Sequence, residues 1–292
     1  MKHKSGFVNI MGNPNVGKST IMNALVGEKL SIITSKAQTT RHRIMGIVNG
    51  EDFQIVYSDT PGILKPSYKL QETMMNSVNL ALSDADLILY VTDVTEKSAQ
   101  NGEYIEKIKE SGIPVVIVIN KIDLSNQDEL GKIVEEWHGV FPESPVIPVS
   151  ALKIFNLDAL LNSVISRLPE GEPYFPKDQL TDKIERFFAS EIIREKILLH
   201  YKKEIPYSVE IEIESFTEEK DINRIRAIIH VARDSQKGII IGHKGSMLKR
   251  VGTEARRDME DFFRKKVFLE VYVKVSKDWR DKPSMLKKFG YN

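Results

Sequence analysis

Apolar and polar positions follow two different rhythms along the chain. Over the first 168 residues, short dense apolar runs alternate with stretches of helical spacing. Phe7, Val8, Ile10 and Met11 form the first run, and Phe53–Ser58, Asp86–Thr92, Pro114–Asn120 and Val146–Val149 follow. LILYV and VVIVI within them are continuously apolar, as strands covered on both faces are. Between the runs, Leu70–Leu82, Glu103–Lys109, Glu129–Trp137 and Leu157–Leu168 carry apolar residues at helical spacing, as do Ile21, Met22, Leu25 and Val26. This alternation predicts an α/β domain, a mainly parallel sheet with helices on both faces.

The second rhythm begins after a break. Pro169, Gly171, Pro173 and Pro176 fall within eight residues and predict an extended, stiff linker over 169–180. A helical pattern then runs from about Asp182 to His200. SVEIEIESF after Pro206 alternates strictly, Arg224–Val231 reads as a second strand and Val267–Val275 as a third, with a helix pair, its second member charged, before the last. The expected organisation is an α/β domain over 1–168, the linker, a smaller α+β domain over 181–275 and a tail over 276–292.

The 292 residues suit two domains. There is no cysteine, so disulfides and thiolate metal sites are excluded, which fits a reducing compartment. No apolar run approaches the roughly 20 residues that span a bilayer, and the N-terminal stretch moves straight into the first strand. The expectation is a soluble cytoplasmic protein. The net charge of +1 conceals an asymmetry. Residues 1–177 hold 17 Lys and Arg against 21 Asp and Glu, whereas from Lys220 onward the count is 19 against 9. A basic second part points to a nucleic acid or another anionic surface, or is a solvated basic face.

Chemistry enters with Gly12, Asn13, Pro14, Asn15, Val16, Gly17, Lys18, Ser19 and Thr20, which fit the phosphate-loop pattern between a strand and a helix. Unpaired backbone N–H groups and the helix dipole there favour a polyphosphate. Lys18 would reach the β- and γ-phosphates, and the Ser19 hydroxyl would sit on magnesium. Asp59, Thr60, Pro61 and Gly62 follow the strand ending at Ser58; Asp59 would hold the magnesium through a water and Gly62 would turn its N–H to the γ-phosphate. In the polar loop between these motifs, Thr40 rather than Thr39 is expected to add its hydroxyl to the metal, letting go after hydrolysis. Asn120, Lys121 and Asp123 end an apolar strand. Asp123 can accept both N1–H and the exocyclic amine of guanine, donors that adenine lacks. Ser150, Ala151 and Leu152 follow the last strand, where a backbone N–H would meet the guanine O6.

In the second domain, Ile240, Ile241, Gly242, His243, Lys244 and Gly245 resemble the GxxG loop of a KH domain, with Lys249 and Arg250 on the helix that follows. Two glycines let backbone approach a phosphate, and an apolar groove including Ile240, Ile241 and Leu248 would receive unpaired bases. The element order fits the type II arrangement. In the tail, Lys277, Arg280, Lys282, Lys287 and Lys288 are interleaved with Trp279, Phe289 and Tyr291. That suits phosphate contact with base stacking, or a last helix packed on the domain.

The ordered set GNPNVGKS, TTRH, DTPG, NKID and SAL resembles the translation-factor-related GTPases. Within them, SKAQTTR and DTPGILKP resemble the Era family of two-domain RNA-binding GTPases. The resemblance implies a P-loop GTPase domain with a type II KH domain and binding of GTP and GDP with Mg2+. It implies single-stranded RNA at the 3′ end of 16S ribosomal RNA as partner, and a place in maturation and assembly of the 30S subunit. It adds peripheral association with the inner membrane to the cytoplasmic expectation, and a monomer is expected. Ras-like relatives carry a glutamine where this chain has Ile63, so slow intrinsic hydrolysis is expected. In relatives with the same loop pattern the residue at Asn15 holds a potassium ion; the other reading of Asn15 is a loop-shaping hydrogen bond. Competing functions are a P-loop phosphotransferase of small-molecule metabolism, which guanine recognition argues against, and an RNA-binding module with a degenerate nucleotide site, which intact Lys18, Ser19, Thr40 and Asp59 argue against.

Overall fold

The structure is a computed structural model, and it describes residues 2–96 and 102–291. The chain forms two compact units, Met1–Lys65 with Met74–Asp182, and Pro66–Thr73 with Lys183–Asn292.

The first unit is built on a six-stranded sheet in the order β2-β3-β1-β4-β5-β6. Its elements are β1 (Lys4–Gly12), α1 (Lys18–Val26), β2 (Ile44–Asn49), β3 (Phe53–Asp59), α2 (Lys69–Ser83, which begins in the second unit), β4 (Leu87–Asp93), α3 (Gly102–Glu110), β5 (Val115–Asn120), α4 (Gln127–Val140), β6 (Val146–Pro148) and α5 (Leu157–Arg167). Every strand pair is parallel except β2 with β3. The central strands β4 and β5 are buried along their whole length, as their unbroken apolar runs require. Two registers position the site. Ile10 lies opposite Asp59, and Asp93 lies opposite Asn120, so the loops leaving these strands emerge at the same edge.

Strand β2 is the element the apolar pattern does not announce. Gly46 interrupts a six-residue run, and the strand gains its place by pairing along β3 from Ile44 opposite Asp59 to Asn49 opposite Gln54. The proline-rich stretch after α5 lies extended along this first unit. Ser5 donates to the Pro169 carbonyl at 3.1 Å, and Gln54 Oε1 accepts the N–H groups of Tyr174 and Phe175 at 2.7 and 2.9 Å. The helix expected from Asp182 begins at Glu185.

The second unit contains α6 (Glu185–His200), the one-turn α7 (Ile205–Ser208), β7 (Val209–Glu218), β8 (Ile222–Val231), α8 (Asp234–Ile241), α9 (Ser246–Phe263), β9 (Lys266–Val275) and α10 (Pro283–Lys288). The sheet order is β7-β8-β9, antiparallel then parallel. Along β8, Ile225, Ala227 and Ile229 are buried while Arg224 and Arg226 are exposed, the alternation of a sheet with one covered face. The buried side packs with Ala189, Ile193 and Ile197 of α6 and with Val251, Ala255 and Met259 of α9.

The residues after β9 pack on this unit. Trp279 is fully buried, its indole N–H donating to the Ser208 carbonyl at 3.0 Å. The Tyr291 hydroxyl donates to Glu210 at 2.7 Å, and the Phe289 ring sits between Trp279 and His230. All three aromatics of the expected tail are therefore packing groups, while Lys277, Lys282, Lys287 and Lys288 stay exposed. No helix among the described residues is long and apolar enough to cross a membrane.

Candidate nucleotide site and nucleic-acid loop

At the carboxyl end of β1 the chain turns through residues 13–17 into α1. Gly17 sits at φ 97, and a Cβ there would fall 2.1 Å from Asn120 Nδ2. The position therefore tolerates no side chain. Lys18 folds back over the turn and donates to the carbonyls of Gly12 and Asn13 at 3.0 and 2.7 Å. Burial lowers its pKa to about 8, against the opposing pull of Asp59 and Glu96. A cation already desolvated and aimed at the loop is poised for an anionic ligand.

Three oxygens converge beside it. Ser19 Oγ lies 2.9 Å from Thr40 Oγ1 and 2.7 Å from Asp59 Oδ2, and Thr40 Oγ1 donates to the same carboxylate oxygen at 3.1 Å. Thr39 instead donates to the Lys36 carbonyl at 2.6 Å. Burial raises the Asp59 pKa, with hydroxyl hydrogen bonds and Lys18 working the other way. Asp59 Oδ1 is buried and has no hydrogen-bond partner among the described residues. Such an oxygen is costly to leave unsatisfied. Two hydroxyls and a carboxylate with one orphaned oxygen fit a hard divalent cation.

The loop after Asp59 is pressed onto the phosphate loop. A Cβ on Gly62 would meet Pro14 backbone atoms at 2.8 Å, and the Ile63 N–H donates to the Gly12 carbonyl at 3.1 Å. Thr60 turns inward to the Ile10 carbonyl at 2.8 Å. The Ile63 side chain is buried in a core cluster that includes Met11 and Val78.

At the other end, Asn120 Nδ2 donates to the Val16 carbonyl at 2.9 Å and its Oδ1 accepts the Ala151 N–H at 3.1 Å. Lys121 donates to the Asn15 carbonyl at 2.7 Å and to Asp93 Oδ2 at 2.5 Å. Burial works to raise the Asp93 pKa, but hydrogen bonds from Lys121 and Thr95 outweigh it and hold it low. Asp93 is a site residue the motifs do not reveal; its signal is a carboxylate one position past the apolar run LILYVT. Asp123 is exposed and accepts the Ser150 hydroxyl at 2.5 Å. A single cavity of about 420 Å³ is lined by Pro14, Asn15, Gly17, Lys18, Ser19 and Thr20, by Ile32–Lys36, Gln38, Thr39 and Thr40, by Gly62, and by Asn120, Lys121, Asp123, Leu124 and Leu152. Gly12, Asn13, Val16, Asp59, Thr60, Pro61, Ser150 and Ala151 fall outside that lining.

In the second unit, Gly242 and Gly245 hold φ 71 and 78 and bracket exposed His243 and Lys244, with Lys249 and Arg250 exposed on α9. One expectation is corrected. Gly238–Ile241 forms the end of α8, and Ile240, expected to line the groove, is fully buried with its carbonyl accepting the Tyr201 hydroxyl at 2.7 Å. Ile240 supports the loop from the core and lines no groove. Ile241 and Leu248 are half-buried beside it, and Ile239 is exposed.

These arrangements match known proteins. Residues 7–121 match the family model of the 50S ribosome-binding GTPases, and residues 204–280 match that of the KH domain. GTPase Era of Syntrophus aciditrophicus (strain SB) is 47% identical over 99% of this chain and 95% of its own length. GTPase Era of Staphylococcus haemolyticus (strain JCSC1435) is 45% identical over 99% and 98%. The crystal structure of Era in complex with MgGDPNP and nucleotides 1506–1542 of 16S ribosomal RNA superposes with a TM-score of 0.95, at 41% identity over 99% of both chains. An Aquifex aeolicus Era variant bound to GDP and aluminium fluoride gives the same score, identity and coverage. With a P-loop GTPase unit and a KH unit in one chain and full-length relatives at this identity, the chain belongs to the Era family of GTPases.

Proposed function

We propose that this GTPase is a molecular switch that binds the 3′ end of 16S ribosomal RNA through its KH unit and acts in assembly of the small ribosomal subunit. One observation carries the nucleotide side. The same cavity is lined by Lys18 and Ser19 at one end and by Asp123 at the other, so phosphates and a guanine fit in one molecule. Lys18 holds the β- and γ-phosphates, and Gly62 offers its N–H to the γ-phosphate. Ser19 and Thr40 would hold Mg2+ directly and Asp59 through a water, and the ion would supply positive charge to the phosphates. Ile63 is packed in the core, so backbone groups or another side chain orient the attacking water, and intrinsic turnover is slow. Asn15 lines the cavity at φ 67, and we assign it a potassium ion beside the phosphates.

On the RNA side, Gly242 and Gly245 bring backbone to a phosphate, with His243, Lys244, Lys249 and Arg250 supplying donors and Ile241 apolar contact. A relative's structure with 16S nucleotides 1506–1542 supports this partner. A small-molecule phosphotransferase has no use for the Asp123–Ser150 pair. Cross-linking the protein to cellular RNA and sequencing the fragments tests the assignment: the small-subunit 3′ end should be enriched, and recovery without that enrichment overturns it. Exchanging potassium for sodium should slow GTP turnover; equal rates remove the Asn15 role.

A further inference from the structure

Glu96 stands in the turn after β4, its N–H on the Asp93 carbonyl at 3.1 Å. One carboxylate oxygen accepts the hydroxyl of buried Thr92 at 2.7 Å, and the other accepts the side-chain amide of Asn13. A carboxylate gripped at both oxygens has little freedom to rotate. Asn13 carries the restraint onward, because its own carbonyl accepts the Lys18 ammonium at 2.7 Å. A continuous path thus runs from carboxylate to side-chain amide to backbone to ammonium. Neither Glu96 nor Asn13 lines the cavity. The negative charge of Glu96 also favours the ammonium form of Lys18.

We propose that Glu96 is a positioning residue for Lys18, acting through Asn13 to fix the crest of the phosphate loop. The inference rests on the assignment of Lys18 to the phosphates. Its effect should be larger on GTP and the transition state, which place both β- and γ-phosphates before the lysine, than on GDP, which offers the β-phosphate alone.

Single-turnover GTP hydrolysis and fluorescent-GDP binding on the full chain test it. Glu96→Ala and Asn13→Ala should each lower the hydrolysis rate about tenfold, the loss of one hydrogen bond to a charged group. The GDP affinity should fall by less than the hydrolysis rate does. The double variant should be no slower than the slower single, because both cut the same path. Glu96→Gln, which can satisfy only one of the two donors, should fall between. A wild-type rate in Glu96→Ala, or additive losses in the double variant, overturns the proposal. If Glu96→Ala fails to fold, the nearly isosteric Thr92→Val decides by the same readout, with a smaller rate loss expected and none overturning it. Unchanged turnover in Lys18→Ala would instead remove the underlying assignment of the lysine.

Discussion

The side-chain amide of Asn120 donates to the Val16 carbonyl at 2.9 Å, and this bond, with that of Lys121 to the Asn15 carbonyl, ties the end of β5 to the phosphate loop. Asn120 Oδ1 holds the loop after β6 through Ala151. Three loops from distant parts of the sequence therefore share one buried amide. Asn120→Ala should leave a carbonyl and an N–H unpaired and destabilise the protein by about 2–4 kcal/mol. Urea unfolding would measure this, and nucleotide affinity should fall in parallel.

In the proposed function Asp123 takes the base on its acceptor oxygens. Asp123→Asn replaces an acceptor by a donor, which suits the carbonyl at position 2 of xanthine. The variant should lose GTP affinity by at least about a hundredfold and gain xanthosine triphosphate. Competition binding with the two nucleotides checks it.

Lys18 couples stability to pH. Its folded-state pKa of about 8 lies below the ordinary 10.5. Between those values the unfolded chain holds a proton that the folded one does not, so this group makes stability rise with pH across that window. Below pH 8 the penalty is complete, at about 3 kcal/mol. Lys18→Met should therefore stabilise the nucleotide-free protein at pH 7, and the gain should shrink by pH 10, while GTP binding is lost. Urea unfolding at the two pH values measures both.

Restoring a glutamine at position 63 should not speed hydrolysis. Ile63 packs against Met11 and Val78, so Ile63→Gln buries an amide without a partner. A destabilisation of about 1–3 kcal/mol with no gain in turnover is expected. Thermal melts and single-turnover kinetics would show it.

Trp279 fills the second unit's interior. Trp279→Ala should cost about 3–5 kcal/mol and weaken RNA binding only through the folded fraction, as a melt paired with RNA binding at low temperature would reveal.

The nucleotide motifs were legible because each is contiguous and sits at a strand end, where local chemistry and local structure coincide. Strand β2 was not, because Gly46 breaks its pattern and pairing with β3 supplies what the sequence lacks. A pair of helices was expected before the last strand, but the extent of the first, α8, was hidden for a related reason. Its Gly238 and three isoleucines favour loop or strand locally, and burial of Ile240 against the sheet overrides that preference. Asp93, Glu96 and the Asn9–Arg43–Asp84 cluster, with Arg43 on Asp84 at 2.5 Å, are assembled only by folding. Contacts of that separation leave no spacing to read.

The parallel pairing of β8 with β9 has a consequence for synthesis. About 35 residues separate Val231 from Lys266, and the GxxG loop lies inside that crossover. The β7–β8 hairpin emerges first and is marginal alone; the sheet closes only when β9 arrives. A nascent chain stalled before β9 therefore presents the GxxG loop without its scaffold, and on the RNA role proposed for that loop such chains should leave ribosomal RNA alone until translation has passed that strand.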